Sequence, residues 1–574
     1  MNYNHIQKFT DMILNYFAGL NLIYFLLSPV LTNLNISTNL ISIYTLVGIA
    51  IVYFKVFLFF KNNGFSSLSL QKTTPDFMFV SLGLIFFRYT NIVFNLYLFI
   101  RQFVIWMVKL VHISERNSFL KKIFHYPALI ILISFISTIL LGTLFLMSPV
   151  MTESGEKTSF IGAAFTATSA VCVTGLSIYD ISTHFTVQGQ LVILFLIQVG
   201  GLGIMTISTG LAIMLGQRFS VQSEKLINYT INQKQNLNLF GLVKKIVFLT
   251  LFIELIGAII LFFPFYKTFN IAFSEISVNK YYLFGKAMYH AIFHSISAFC
   301  NAGFSLYPDS LLGFYRNFSV VMPISILFIL GGLGFTVLSD LKRINLNPKK
   351  LLYLTFHSKI VLISSLLLLV IGSLVFFISE YQFTMKDMNL YERLLSSFFQ
   401  SATCRTAGFN TINTSLLSNS SVIFSCLLMF IGASPGSTGG GIKTPTFAII
   451  VLAVFSFLRG NRDVTIFSRK ISDETMVKVL ALIGISVFFL FSIIFLMLMT
   501  EPFKFQEILF EAFSAFGTVG LSMGITAALS SIGKFLIIIL MFIGRVGPLT
   551  FVFALAASVS RRNYQVPEEQ LDIG

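Results

Sequence analysis

The sequence predicts an all-α polytopic membrane protein: four tandem helix–pore loop–helix repeats with pseudo-fourfold symmetry, preceded by extra N-terminal membrane helices. Three observations predict it. The first is composition: hydrophobic residues make up 56% of 574, charged residues 11%, and mean hydropathy is +0.85, whereas soluble domains carry about 25% charged residues. The second is a set of long apolar runs, such as Ala128–Met147, Ile246–Phe265, Ile360–Ile378 and Val479–Met499, each near the roughly 20 residues that cross a bilayer as a helix. The third is a unit that recurs four times after Lys121, and a repeat of this kind governs how the rest of a chain is read.

The net charge of +16 would point to nucleic acid in a soluble chain. Here the basic residues fill short gaps between apolar runs: Arg218, Lys225, Lys234, Lys244 and Lys245; then Lys342, Arg343, Lys349, Lys350 and Lys359; then Arg459, Arg462, Arg469, Lys470 and Lys478. The alternate connections are acidic or mixed, with Glu153 and Glu156; Glu380, Asp387 and Glu392; Glu501, Glu507 and Glu511. This is the positive-inside pattern. It assigns the basic gaps to the cytoplasm of a multi-pass protein of the cytoplasmic membrane and needs no nucleic-acid partner. The first apolar stretch, Met12–Leu31, is followed by no small-residue cleavage site and reads as a retained helix.

Each repeat contains an apolar helix, a short segment of aromatic and small residues ending in glycine, a polar turn, and a second helix broken by glycine. The short segments are TATSAVCVTGLS (Thr166–Ser177), SISAFCNAGFS (Ser295–Ser305), SATCRTAGFNT (Ser401–Thr411) and FSAFGTVGLS (Phe513–Ser522). Their glycines, Gly175, Gly303, Gly408 and Gly520, are spaced 128, 105 and 112 residues apart. The second helices end in VGGLG, LGGLG, IGASPG and IGRVG, whose first glycines follow the segment glycines by 25, 28, 24 and 24 residues. The boundaries that follow are an extension at 1–120 and repeats at 121–218, 219–345, 346–460 and 461–574. The apolar stretch before each glycine runs about a dozen residues, as in Phe160–Val171. At 1.5 Å per residue it cannot span a core of roughly 30 Å, so each is expected to re-enter on its own side. Irregular backbone survives at that depth only when buried in protein or lining water, and four such loops about one axis enclose a pore.

The filter candidates are Cys172, Val173, Thr174 and Gly175; Cys300, Asn301, Ala302 and Gly303; Arg405, Thr406, Ala407 and Gly408; and Gly517, Thr518, Val519 and Gly520. Rings of backbone carbonyls replace the water shed by an ion, glycine tolerates the dihedrals that aim them inward, and a short helix ending at the ring adds partial negative charge. The first and last stretches resemble the TVG core of potassium-channel filters. Together these motifs resemble the Trk/Ktr/HKT superfamily of potassium transporters, and the RTAGFNT and GASPGSTGGGIKT strings its KtrB branch, over about Lys121–Arg562. The resemblance implies potassium uptake with K+ held at the carbonyls of Gly175, Gly303, Gly408 and Gly520. It also implies one pore per chain, a homodimer, and a separate cytosolic regulatory subunit of the KtrA/TrkA kind carrying a nucleotide (ATP/ADP or NAD). No covalent cofactor is expected. A serine at the first filter glycine favours sodium in the family; here it is Gly175. No connection exceeds about 30 residues, too short for a nucleotide-binding domain.

The resemblance also implies an intramembrane gate in the second helix of repeat three, Gly432–Thr444, centred on Gly436, Ser437, Thr438, Gly439, Gly440 and Gly441 with Lys443, facing Arg545 of repeat four. Glycine costs about 1 kcal/mol per residue in a helix, so the stretch is expected to be a mobile loop. Ile442 separates Gly441 from Lys443, so the loop departs from a phosphate-binding GxxxxGK[ST] motif. His290 and His294 share a helical face without a third ligand and read as packing residues. Cys172, Cys300 and Cys404 read as small side chains behind bent backbone, Arg405 as pointing away from the axis, and Gly200, Gly201, Gly331 and Gly332 as helix-packing positions. The alternative is a sodium- or proton-coupled symporter, for which Glu254 is the clearest acidic residue inside a spanning run. No cluster of side chains suits an enzyme.

Overall fold

The structure, a computed structural model, describes residues 127–203, 239–272, 280–343, 353–461, 463–548 and 551–552. The extension at 1–120, with its apolar stretches Met12–Leu31, Leu40–Phe60 and Phe77–Val111, lies outside the described residues. So do most of the first basic gap and the end of the chain.

In the four expected repeats, the first helices are α1 (Pro127–Leu146), α4 (Leu239–Ala272), α8 (Phe356–Ser379) and α12 (Asp473–Thr500). A short inner helix follows each: α2 (Phe160–Val171), α5 (Lys280–Phe299), α9 (Leu390–Thr403) and α13 (Phe505–Gly517). Then come α3 (Val187–Leu202), α6 (Phe318–Leu333), α10 (Asn419–Phe430) and α14 (Ser531–Val546). Beyond α6 lies α7 (Phe335–Arg343), and beyond α10 lies α11 (Thr444–Leu458). Among the described residues, three helices are long and apolar enough to cross a membrane, or four if the bent pair α6–α7 is one span.

Local chemistry starts and stops the closing helices. Thr186, Asn317, Ser418 and Ser530 are their N-caps, each accepting a backbone N–H of the first turn, the bond that a helix start otherwise lacks. Three of them stop on a glycine with left-handed φ: Gly203 at 78°, Gly334 at 89° and Gly547 at 94°. Sixteen residues make a helix of only about 24 Å, shorter than a bilayer core of roughly 30 Å. After Gly334 the axis bends by 100° into α7.

The outer helices present unpartnered apolar faces, with Phe248, Leu255 and Phe263 on α4, Leu366 and Leu374 on α8, and Phe488 and Phe495 on α12 all exposed. Faces of this extent suit lipid rather than water. The inner helices are enclosed: Phe165, Phe299, Phe399 and Phe516 are fully buried. The connection between repeats three and four carries a two-stranded antiparallel hairpin, β1 (Thr465–Ile466) and β2 (Arg469–Lys470), with Thr465 opposite Lys470.

Candidate ion-conduction site

The inner helices end at Val171, Phe299, Thr403 and Gly517, and each hands over to backbone of the same unusual shape. A residue two positions before each candidate filter glycine is left-handed, and so is the glycine: Val173 (56°) and Gly175 (92°), Asn301 (60°) and Gly303 (69°), Thr406 (75°) and Gly408 (80°), Thr518 (51°) and Gly520 (96°). Non-glycine residues take this region rarely, so four coincidences at one register mark a built feature.

The four glycines close on one another. A Cβ added to Gly175 would meet the carbonyl oxygen of Ala302; on Gly303, that of Ala407; on Gly408, that of Val519; and on Gly520, that of Thr174. The contacts run in chain order and return to their start. The carbonyl oxygens just before the glycines therefore lie around one small circuit, and any side chain on those glycines would fill it.

Hydroxyls hold each segment to its helix. Ser169 Oγ accepts the Gly175 N–H at 3.0 Å and Ser514 Oγ that of Gly520 at 3.1 Å. Ser297 Oγ donates to the Phe304 carbonyl at 2.7 Å and Thr403 Oγ1 to that of Phe409 at 2.8 Å. The carbonyls of the same four residues accept the N–H groups of Thr174, Ala302, Ala407 and Val519 at 2.7–3.0 Å. The closing helices rest directly on the helix ends: a Cβ on Gly200, Gly331 or Gly544 would strike the carbonyl of Val171, Phe299 or Phe516, a close-packing role.

Arg405 turns away from the circuit, donating to the Ser365 carbonyl and Oγ on α8, both at 3.1 Å. Cys172, Cys300 and Cys404 are buried free thiols. Glu254 on α4 is buried and receives Gln198 Nε2 at 3.1 and 3.2 Å and the Cys300 thiol at 3.7 Å. Among the described residues, no three His, Cys, Asp or Glu side chains could hold a metal ion.

The glycine stretch of repeat three folds against the underside of these segments. Ile431 and Ile442 form a parallel bridge. Gly440 N donates to Thr518 Oγ1 at 3.0 Å. Thr438 Oγ1 donates to the Phe299 carbonyl at 3.2 Å and lies 3.2 Å from the side-chain amide of Asn301. Thr438 N and Ser434 N bond the carbonyls of Gly331 and Gly332, and Lys443 Nζ donates to Gly439 O at 2.7 Å. Arg545 donates to the carbonyls of Thr438 and Gly200. Apart from the exposed Gly436 and its half-buried neighbours, most of the stretch is buried; it is hydrogen-bonded to repeats two and four, and Arg545 links it onward to Gly200 of repeat one. Glycine lets it approach that closely: a Cβ on Gly439 would meet Thr406 Oγ1, and one on Gly440 would meet Thr518 Oγ1.

A sequence profile of the TrkH family, described as a cation transport protein, matches residues 97–564. The chain belongs to the TrkH family. Ktr system potassium uptake protein B of Bacillus subtilis (strain 168) is 39% identical over 462 residues, 80% of this chain and 99% of that protein. The protein of the same name from Vibrio alginolyticus is 41% identical over 429 residues, 74% of this chain and 90% of its own. Potassium/sodium uptake protein NtpJ of Enterococcus hirae is 37% identical over 458 residues, 78% of this chain and 97% of its own. The crystal structure of the potassium transporter TrkH from Vibrio parahaemolyticus matches with a TM-score of 0.59 at 15% identity, over 97% of this chain and 99% of that one, a likeness of fold. TrkH-family proteins are membrane transporters rather than enzymes.

Proposed function

We propose that this TrkH-family chain is the ion-conducting subunit of a potassium uptake system in the cytoplasmic membrane, built as four pseudo-symmetric repeats around one pore. The observation that carries the reading is the closed circuit of Gly175, Gly303, Gly408 and Gly520 with the carbonyls beside them. Carbonyl oxygens gathered around one axis replace a hydration shell, and they do so for a cation. The glycine loop and Arg545 act as the gate, since they lie across the inner side of the circuit and carry positive charge there. The names of the relatives, potassium uptake proteins of a Ktr system, support K+ as cargo. They also support a multi-subunit assembly, read here as a homodimer on a cytosolic nucleotide-binding regulatory subunit.

The test is rubidium uptake in cells that lack their own potassium transporters. The wild-type chain is expected to restore uptake. Gly175→Ser would set a side chain against the Ala302 carbonyl at a φ of 92°; it should lower the Rb+/Na+ ratio by about tenfold, the factor carried by ~1.4 kcal/mol of lost coordination. A wild-type chain that passes no alkali ion would sink the reading.

Glu254 favours a second reading, a sodium- or proton-coupled symporter, because it is a buried acid in contact with filter residue Cys300. The two readings separate in vesicles. Conduction follows the Rb+ gradient and voltage alone, whereas a symporter stops when the coupling-ion gradient is collapsed and Glu254→Gln abolishes the dependence.

A further inference from the structure

One turn before the bracing hydroxyls Ser169, Ser297, Thr403 and Ser514, each inner helix carries another polar residue: Thr166, His294, Gln400 and Glu511. All four are fully buried. The register is the same in all four helices although repeat three is one residue shorter between its hydroxyl and its glycine. Four polar side chains at one buried level cost stability unless each has a task.

Two of the four reach the chain just outside the filter. The imidazole of His294 lies 3.1 Å from Ser305 Oγ, two residues beyond Gly303, and its Nε2 accepts the Leu306 N–H at 3.4 Å. Its Nδ1 lies 2.8 Å from the His290 carbonyl. A carbonyl can only accept, so Nδ1 carries the proton and Nε2 is the acceptor, which defines one neutral tautomer. Ser305 Oγ in turn accepts the Tyr307 N–H at 3.0 Å, so the histidine anchors a short turn at the outer end of filter two. In repeat four, Thr526 Oγ1 donates to Glu511 and lies 2.9 Å from Ser522 Oγ. Ser522 is the residue two beyond Gly520, the counterpart of Ser305. Glu511 therefore grips the outer end of filter four through one hydroxyl. In repeats one and three the same position does something else. Thr166 Oγ1 bonds back to the Gly162 carbonyl of its own helix at 3.0 Å, and Gln400 Nε2 bonds Cys404 Sγ at 3.7 Å.

We propose that His294 and Glu511 are positioning residues for ion selection, which fix the outer ends of the second and fourth filter segments through Ser305 and Ser522. The inference rests on the pore reading above. The two segments are diagonal in the circuit of glycine contacts, so the braces hold opposite walls of the entrance while the other two walls lack them. The carbonyl spacing at the entrance then depends on two hydrogen-bond acceptors far from the axis. Neither residue touches the ion path; each acts through the main chain beyond its glycine.

The experiment measures the Rb+/Na+ uptake ratio in cells lacking their own potassium transporters, with the membrane amount of each variant quantified. The ratio is independent of how many chains fold. His294→Ala and Glu511→Ala are expected to lower it by roughly two- to tenfold, the range one hydrogen-bonded brace carries. His294→Gln and Glu511→Gln, which keep an acceptor near the same place, are expected to restore most of it; the glutamine already at 400 fits the same helix position. Thr526→Val should match Glu511→Ala, and the two together should lower the ratio no further than either alone, because they cut one link. Alanine variants with the wild-type ratio and merely less protein in the membrane would overturn the proposal. If the alanine variants fail to reach the membrane, Thr526→Val decides: an unchanged ratio overturns the proposal. A wild-type chain that takes up no Rb+ would instead fail the pore reading.

Discussion

Arg545 is the residue whose chemistry is least at home where it stands. A charged side chain deep in a bilayer costs at least about 2.5 kcal/mol, and its two partners, the carbonyls of Thr438 and Gly200, are neutral. Lys443, at the end of the glycine stretch that holds Thr438, also donates to a carbonyl. In the proposed gate, these two cationic groups on the inner side of the carbonyl circuit oppose a passing cation and tether the loop. Arg545→Ala removes a charge and a tether together. Alkali-ion flux is expected to rise several-fold, and Lys443→Ala should raise it less because it frees one loop bond only. Equal flux from wild type and both variants would remove the gate from the reading. Arg545 stood out in the sequence, since a lone arginine after IG in an apolar run is conspicuous. The bracing by Ser169 and Ser514 was not, because serine at a helix end is common and only the fold shows which N–H it meets.

Two elements are stapled in the same way in repeats three and four. Glu380 ends α8 and accepts Ser418 N at 2.9 Å and Ser418 Oγ at 2.7 Å, at the start of α10. Glu501 ends α12 and accepts Ser530 N at 3.1 Å, at the start of α14. Each carboxylate thus joins the outer end of a first helix to the N-cap of the closing helix. Burial pushes the Glu380 carboxyl up, but hydrogen bonds from Ser421, Ser418 and Thr384 outweigh it and hold it below the usual carboxylate range. A lowered folded pKa contributes stability that is present above the ordinary carboxylate value, about 4.5, and is lost as pH falls through the lower folded value. In detergent, the melting temperature of the wild type should therefore drop on acidification below about pH 4.5. Glu380→Gln should be less stable at neutral pH and show a smaller acid drop. An identical acid response in wild type and variant would rule out this staple as the source.

At the scale of the whole molecule, the outer helices carry exposed apolar faces, and among the described residues exposed charges lie on both the basic and the acidic connections. The third gap is partly on view: Arg459, Arg469, Lys470 and Lys478 lie around the β1–β2 hairpin, with Lys470 paired to Asp463 at 2.6 Å and Lys478 to Glu474 at 2.5 Å. Solvent screens these exposed pairs, so they contribute little to stability. The proposed assembly has a direct consequence. In detergent the protein mass from light scattering should be twice 64.3 kDa. A nucleotide should change Rb+ flux in vesicles only when the regulatory subunit is added. A 64.3 kDa particle, or a nucleotide effect on the chain alone, would contradict the assembly.

The sequence by itself determined the membrane class, the four short segments and their glycines, and the family, because each is written in local properties. Apolar run length, glycine where φ must be positive, and basic residues between spans all act within about twenty positions of the residue concerned. Only the tertiary structure decided that the four glycines meet in a closed circuit in chain order. It also decided that Arg405 turns to Ser365, and which groups of repeats two and four the glycine loop meets. Those facts depend on contacts between distant parts of the chain, such as Arg545 on Gly200 at 345 positions' separation and Thr438 on Phe299 at 139. No periodicity encodes a partner that far away; packing selects it, by bringing together the backbone groups that the bent filter segments and the broken helix leave without an internal bond.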